Sequence, residues 1–162
     1  MRNITMNLNV RDINRAIREV EKYKKEIKQK TQLLIEELTN RGVDIAKTHV
    51  RGLNAFYTGE LESSINGYFS PSLGVGIIKA SAWYAVYVEY GTGIVGATSP
   101  HPDPKGWQYD INSHGEKGWW YFNDRDQKWH WTKGFQSRPF MYNTVKELER
   151  EVRKIAKEVF GR

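Results

Sequence analysis

The chain has 162 residues, 39% of them hydrophobic and 27% charged, which suits one globular domain and excludes both a membrane bundle and a compositionally disordered segment. Lys and Arg number 25 against 19 Asp and Glu, a net charge of +6. There is no cysteine, so a disulfide scaffold, a thiolate zinc site and cysteine catalysis are excluded; the composition is compatible with a reducing compartment.

In chain order, Ile4, Met6, Leu8 and Val10 alternate with polar residues, which predicts a short half-buried strand. The same segment lacks the apolar run and cleavage site of a signal peptide, so a soluble product made in the cytosol is expected. Asp12 offers an N-cap for a helix starting near Ile13. Ile13, Ile17, Val20, Ile27, Thr31, Leu34, Leu38, Ile45 and Ala46 keep one face apolar or small to about Val50. Glu21 with Lys25, and Glu26 with Lys30, are i,i+4 pairs in the favourable order. Gly42 marks an expected kink or break. A helix this long suggests contact with something beyond its own core.

Ser64 to Ser70 reads as a strand, Pro71-Ser72 as a turn, and Leu73, Val75 and Ile77 as the returning strand. Gly74 and Gly76 there predict a bulge or a close backbone approach. Ala82 to Tyr90 is compatible with a strand, but Tyr84, Tyr87 and Val88 fall at helical spacing and Gly91 would end the helix, so a short helix is expected. Residues 91–118, rich in Gly and carrying Pro100, Pro102 and Pro104, read as a long mobile loop. Trp119-Trp120-Tyr121-Phe122 and Lys128-Trp129-His130-Trp131-Thr132 flank a polar turn and read as a β-hairpin. Pro139 opens the last helix, with Met141, Val145, Leu148, Val152, Ile155 and Val159 as its apolar stripe.

Charge is uneven: +4 over residues 1–50, −1 over 51–100, +1 over 101–138 and +2 over 139–162. A solvated helix face explains such runs most simply. A basic face around Lys22, Lys24, Lys25, Lys28 and Lys30 that meets nucleic acid is the sharper alternative.

Chemistry is sparse. His49, His101, His114 and His130 show no metal-ligand spacing and read as scattered loop residues. Gly91-Thr92-Gly93 lacks what a phosphate loop or dinucleotide fingerprint needs, and Asp124 and Asp126 lack the remainder of a calcium loop. Of Glu60, Glu62 and Glu89, the last stands out: among Tyr87, Val88 and Tyr90 it needs a partner, either an N–H of the Gly91-Thr92-Gly93 turn or an Arg. No catalytic residue, cofactor or metal is expected. Five of six tryptophans lie between Trp107 and Trp131. A stacking platform for single-stranded nucleic acid would want more positive charge than +1 in this segment. With aromatics on both faces, the hairpin is expected to bury one on its own domain and to offer the other to a neighbouring subunit, making Trp119, Trp120, Trp129 and Trp131 candidate interface residues.

Four stretches carry a family resemblance. Thr58-Gly59-Glu60-Leu61-Glu62-Ser63-Ser64-Ile65 is similar to T-G-x-L-x-x-S-I. Tyr84-Ala85-Val86-Tyr87-Val88-Glu89-Tyr90-Gly91-Thr92-Gly93 is similar to Y-A-x-[YF]-[VL]-E-[FY]-G-T-G. The Trp-rich stretch ending Trp131-Thr132-Lys133-Gly134 follows, and Pro139-Phe140-Met141 resembles P-F-[ML]. In this order, over about residues 13–160, they resemble the HK97 gp10-like phage family of tail-completion and head–tail joining proteins. The lead into T-G departs from the family's Pro-Val-Asp-like sequence, being Ala55-Phe56-Tyr57.

The resemblance implies a non-enzymatic virion protein of a phage or prophage, made in the bacterial cytoplasm and placed at the head–tail junction. It implies a homo-oligomeric ring, commonly sixfold, between a head connector or stopper protein and a tail tube or tail terminator protein. DNA would only pass through its lumen, and no membrane or cofactor would be involved. The motif residues Thr58, Gly59, Leu61, Ser64, Ile65, Tyr84, Ala85, Tyr87, Glu89, Gly91, Thr92, Gly93, Pro139 and Phe140 would serve the fold or subunit contacts. The expected architecture is one α+β domain over residues 1–162. In it a long N-terminal helix and a C-terminal helix pack on an antiparallel sheet built from residues 64–79 and the Trp-rich hairpin.

Overall fold

The computed structural model describes residues 9–53, 58–110, 112–114 and 117–161; the strand expected around Ile4–Leu8 and the Ala55-Phe56-Tyr57 lead lie outside them. The elements run α1 (Val10–Arg51), α2 (Thr58–Ser63), β1 (Ile65–Ser70), β2 (Val75–Ala80), α3 (Ala85–Tyr90), α4 (Gly93–Thr98), β3 (Trp119–Asn123), β4 (Lys128–Thr132) and α5 (Phe140–Gly161). The architecture is α+β, as the sequence predicts. The single sheet expected from both hairpins is instead two separate two-stranded antiparallel sheets, β1–β2 and β3–β4.

Helix α1 has 42 residues and is therefore about 63 Å long. It begins three residues before the expected start. Asn9 is the N-cap: its side-chain oxygen accepts from the Asp12 N–H at 2.8 Å, and its amide donates to the Asp12 carboxylate at 3.0 Å. Asp12 thereby becomes a first-turn acid beside the positive end of the helix. The buried positions Thr39, Gly42, Ile45, Ala46 and Val50 share one side of the C-terminal part of α1. There the core forms from Ala46, Val50, Leu61, Ile65, Ala85, Val88 and Phe140, drawn from α1, α2, β1, α3 and α5. Burying each larger aliphatic of this set contributes roughly 1.5–3 kcal/mol.

Gly42 does not break α1; it is buried within it. A side chain there would run into Ile78 of β2 and Leu148 of α5, so the missing Cβ lets three elements meet. Gly67 and Gly76, on the inner face of the β1–β2 sheet, lie against Thr39 in the same way. This bears out the expected close approach at Gly76. Gly74, by contrast, belongs to the turn: its φ is +62°, and β2 starts only at Val75, paired with Ser70. Leu73 stays exposed in that turn.

Helix α5 runs antiparallel to α1. Arg41 holds Glu151 through two hydrogen bonds of 2.6 and 2.7 Å, His49 faces Glu147, and the Lys30 ammonium donates to the Phe160 carbonyl. The Arg41 hydrogen bonds hold the Glu151 carboxyl below its usual range, so this pair contributes at neutral pH and fades as acid protonates Glu151. The buried positions of α5 are Phe140, Thr144 and Val159, whereas Val145 and Val152 of the expected stripe are exposed. Thr144 is tolerated inside because its hydroxyl donates to the Phe140 carbonyl at 2.7 Å.

Gly42→Val should lower stability to urea by about 1–3 kcal/mol despite its side chain being apolar, because branched methyls would wedge α1 away from Ile78 and Leu148. Equal or higher stability would show that the approach of β2 and α5 at Gly42 does not depend on the missing side chain.

Candidate functional site

The motif Tyr84 to Gly93 builds a junction. Helix α3 places Ala85 and Val88 in the core and Glu89 beside them, only 7% exposed. The Glu89 carboxylate accepts from the backbone N–H groups of Met141 at 2.8 Å and Tyr142 at 2.9 Å, in the first turn of α5. It also meets Nε2 of His101, itself 5% exposed, at 3.0 Å. Nδ1 of His101 faces the Asp103 backbone, whose N–H donates to it at 2.9 Å. Glu89 thus caps α5 from another helix, with its charge on the positive helix end. The partners are neither of those expected from the sequence, the Gly91-Thr92-Gly93 turn or an Arg.

The backbone around this carboxylate is equally tied. The Ser137 hydroxyl donates to the Glu89 carbonyl at 2.6 Å, and the Arg138 N–H to the Val88 carbonyl at 2.9 Å. Thr92 and Phe135 form an antiparallel bridge. Gly91 and Gly93 have φ of +80° and +61°, and side chains there would strike the backbone of Phe135–Ser137 and of Lys133. Both reasons require glycine. The Trp107 indole donates to the Gly91 carbonyl at 3.0 Å and stacks on Tyr90. Segment 91–118 is therefore not a bare loop. It contains α4 and returns His101, Tyr109 and Trp107 to the junction, with the Tyr109 hydroxyl accepting from the His101 N–H and the Tyr109 carbonyl from the Gly93 N–H.

The other motif residues are fold positions too. Leu61 and Ile65 are buried at i,i+4, while Gly59 of α2 is exposed and Thr58 opens that helix. The Ser64 hydroxyl donates to the Leu61 carbonyl. Tyr84 and Tyr87 are half-buried; burial first, then Glu60, pushes the Tyr84 phenol up. Pro139 precedes α5 and Phe140 is fully buried. The three glutamates do not share a pocket wall: Glu62 pairs with Arg51, Glu60 lies by Tyr84, and Glu89 is sealed. Among the described residues no group of three or more His, Asp or Glu could hold a metal ion, and no helix is long and apolar enough to cross a membrane.

The Trp hairpin behaves differently. Its register pairs Trp120 with Trp131 and Phe122 with Trp129, so these four rings occupy one face. Trp120 is 60% and Trp129 64% exposed, with Phe122 and Trp131 also exposed. The opposite face carries Trp119, Tyr121 and His130: Trp119 is half-buried, stacked on His114 beside Gly93, and His130 is half-buried, stacked on Tyr121. Asp126 accepts from Lys128 and pairs with His130, so Asp124 and Asp126 serve the hairpin turn. Reading the chain by motif missed His101: an isolated histidine in a Pro-rich run carries no periodic signal, and only its pairing with Glu89 reveals it.

Glu89→Ala should cost about 3 kcal/mol or more in urea unfolding, because it strands two N–H groups of α5 and the His101 ring in a buried site. Glu89→Gln, which keeps one accepting oxygen, should cost less. If Glu89→Ala were neutral, the junction would not hold the fold.

The chain matches no family model, no curated protein and no solved structure.

Proposed function

We propose that this protein is a non-catalytic assembly component that works by docking to copies of itself and to neighbouring proteins, as a tail-completion or head–tail joining protein of a phage or prophage virion. The observation that carries the reading is the exposed aromatic face of the β3–β4 hairpin, Trp120, Phe122, Trp129 and Trp131. Large rings on a two-stranded ribbon are the usual anchors of protein interfaces and are costly to leave in water. The most chemically suggestive pair, Glu89 with His101, is closed to substrate and occupied in capping α5. The virion assignment itself rests on the ordered resemblance of the four motifs. In that setting the protein would form a ring, commonly sixfold, between a head connector or stopper and a tail tube or terminator, with DNA passing through its lumen. A head-to-tail ring repeats one heterologous contact around its axis, which gives the hairpin face a place to be covered.

A second reading is favoured by one observation: of the basic side chains of α1, Lys22, Lys24, Lys25 and Lys28 lie on an exposed stretch of helix, with Lys30 half-buried at its end. Binding to duplex or single-stranded DNA that falls steeply between ~50 and ~200 mM salt would support a nucleic-acid module; no binding at the lower salt removes it.

In the assembly reading, Trp120→Ala and Trp129→Ala should abolish or strongly weaken incorporation into particles while leaving the melting temperature of the isolated subunit nearly unchanged. Particle incorporation followed by sedimentation, alongside thermal melts, measures both. Wild-type protein absent from purified particles, or monomeric in the presence of connector and tail proteins, would overturn the reading.

A further inference from the structure

The stretch of α1 from Val10 to Ile27 extends about 27 Å. Helix α5 ends at Gly161, level with Lys30, whose ammonium meets the Phe160 carbonyl. Beyond that level α1 runs on as an arm, and no residue of α1 before Thr39 is buried. The arm nonetheless carries a regular seam. Val10, Ile13, Ile17, Val20, Lys24 and Ile27 alternate in steps of three and four, the a and d positions of heptads. The five aliphatic members of the set are all exposed, Val10 at 76% and Val20 at 54%. Farther along, Leu34 and Leu38 continue the same seam into the half-buried part of α1.

We propose that the arm pairs with the arm of a second copy of this chain, antiparallel and about a two-fold axis between Ile17 and Val20. The argument for a second copy is that the seam is its own complement in this register. Val10 lies against Ile27 of the second copy, Ile13 against Lys24, and Ile17 against Val20, and the two-fold repeats each contact. Tyr23 falls over Ala16 of the second copy, large on small, and Glu21 falls beside Arg18 of the second copy, opposite in charge. Lys24 decides the direction. In a parallel, in-register pair the two Lys24 ammonium groups would face each other across the seam. In the antiparallel pair each stem covers Ile13 of the second copy and the ammonium reaches water. Two arms of this length bury on the order of 1,000 Å², the bottom of the range for specific interfaces, so the dimer is reversible.

This inference stands apart from the virion reading, which uses the hairpin face, and the two can fail separately. The experiment uses the full chain. Sedimentation equilibrium should show a monomer–dimer equilibrium in the micromolar range, and Ile17→Asp should weaken it roughly tenfold or more, with an unchanged melting temperature at concentrations low enough for both proteins to be monomeric, because Ile17 is exposed in the subunit. Direction is read by disulfide trapping, which has no background because the chain lacks cysteine. Ile17→Cys and Val20→Cys proteins should cross-link efficiently when mixed, as heterodimers, and poorly when each is oxidised alone. A strictly monomeric chain, a dimer insensitive to Ile17→Asp, or efficient cross-linking of each variant with itself would overturn the proposal.

Discussion

A buried carboxylate whose oxygens are met by the first N–H groups of a helix is the contact on which this fold turns. Glu89 sits at the end of α3, yet its partners come from α5 and from the segment around His101. An ionised group in that position is tolerable only because three donors converge on it, and the helix end supplies two of them as fixed dipoles. In return, the carboxylate satisfies N–H groups that a helix starting inside a protein would otherwise leave unpaired. The position of α5 against α1 follows from this anchoring, since α5 departs from Glu89 and runs back along α1 to Lys30. Gly91 and Gly93 then matter as space: they let the chain after α3 lie directly on the chain that enters α5.

The periodic parts of this molecule are legible in the sequence, and the reasons are local. α1, α5 and both hairpins declare themselves through spacing that the backbone geometry imposes. The α5 face is ambiguous in the sequence, because two apolar stripes share Leu148, Ile155 and Val159. Counting methyl groups favours Val145 and Val152, but Thr144 can be buried once its hydroxyl bonds to the Phe140 carbonyl. The start of α1 moved to Asn9 because Asn9 and Asp12 can both cap, and the pair bonded reciprocally puts the acid inside the first turn. The expected merging of the two hairpins into one sheet failed for a different reason: no alternation pattern says which strand edges meet.

The junction was only half legible. That Glu89 needed a partner followed from its apolar neighbours and from the cost of burying charge. Which partner it found did not, because Met141, Tyr142 and His101 are brought to it by the fold rather than by spacing in the chain. The hairpin was legible in its faces but not in its placement. Alternation gives the two sides of a ribbon; it does not say that the ribbon joins the body at its base through Trp119 and the Thr92–Phe135 bridge.

The antiparallel return of α5 has a consequence for how the chain matures. Arg41 meets Glu151, 110 positions further along the chain, and the α1 surface that faces α5 has no cover until α5 exists. During synthesis α1 leaves the ribosome before α5 does and waits, with its oily side unshielded, while the residues between them are made. Contacts so distant along the chain form slowly because a large loop must close before they reward it. Until α5 is made, the nascent polypeptide therefore carries this open surface, the kind that chaperones hold and that aggregates when expression is fast.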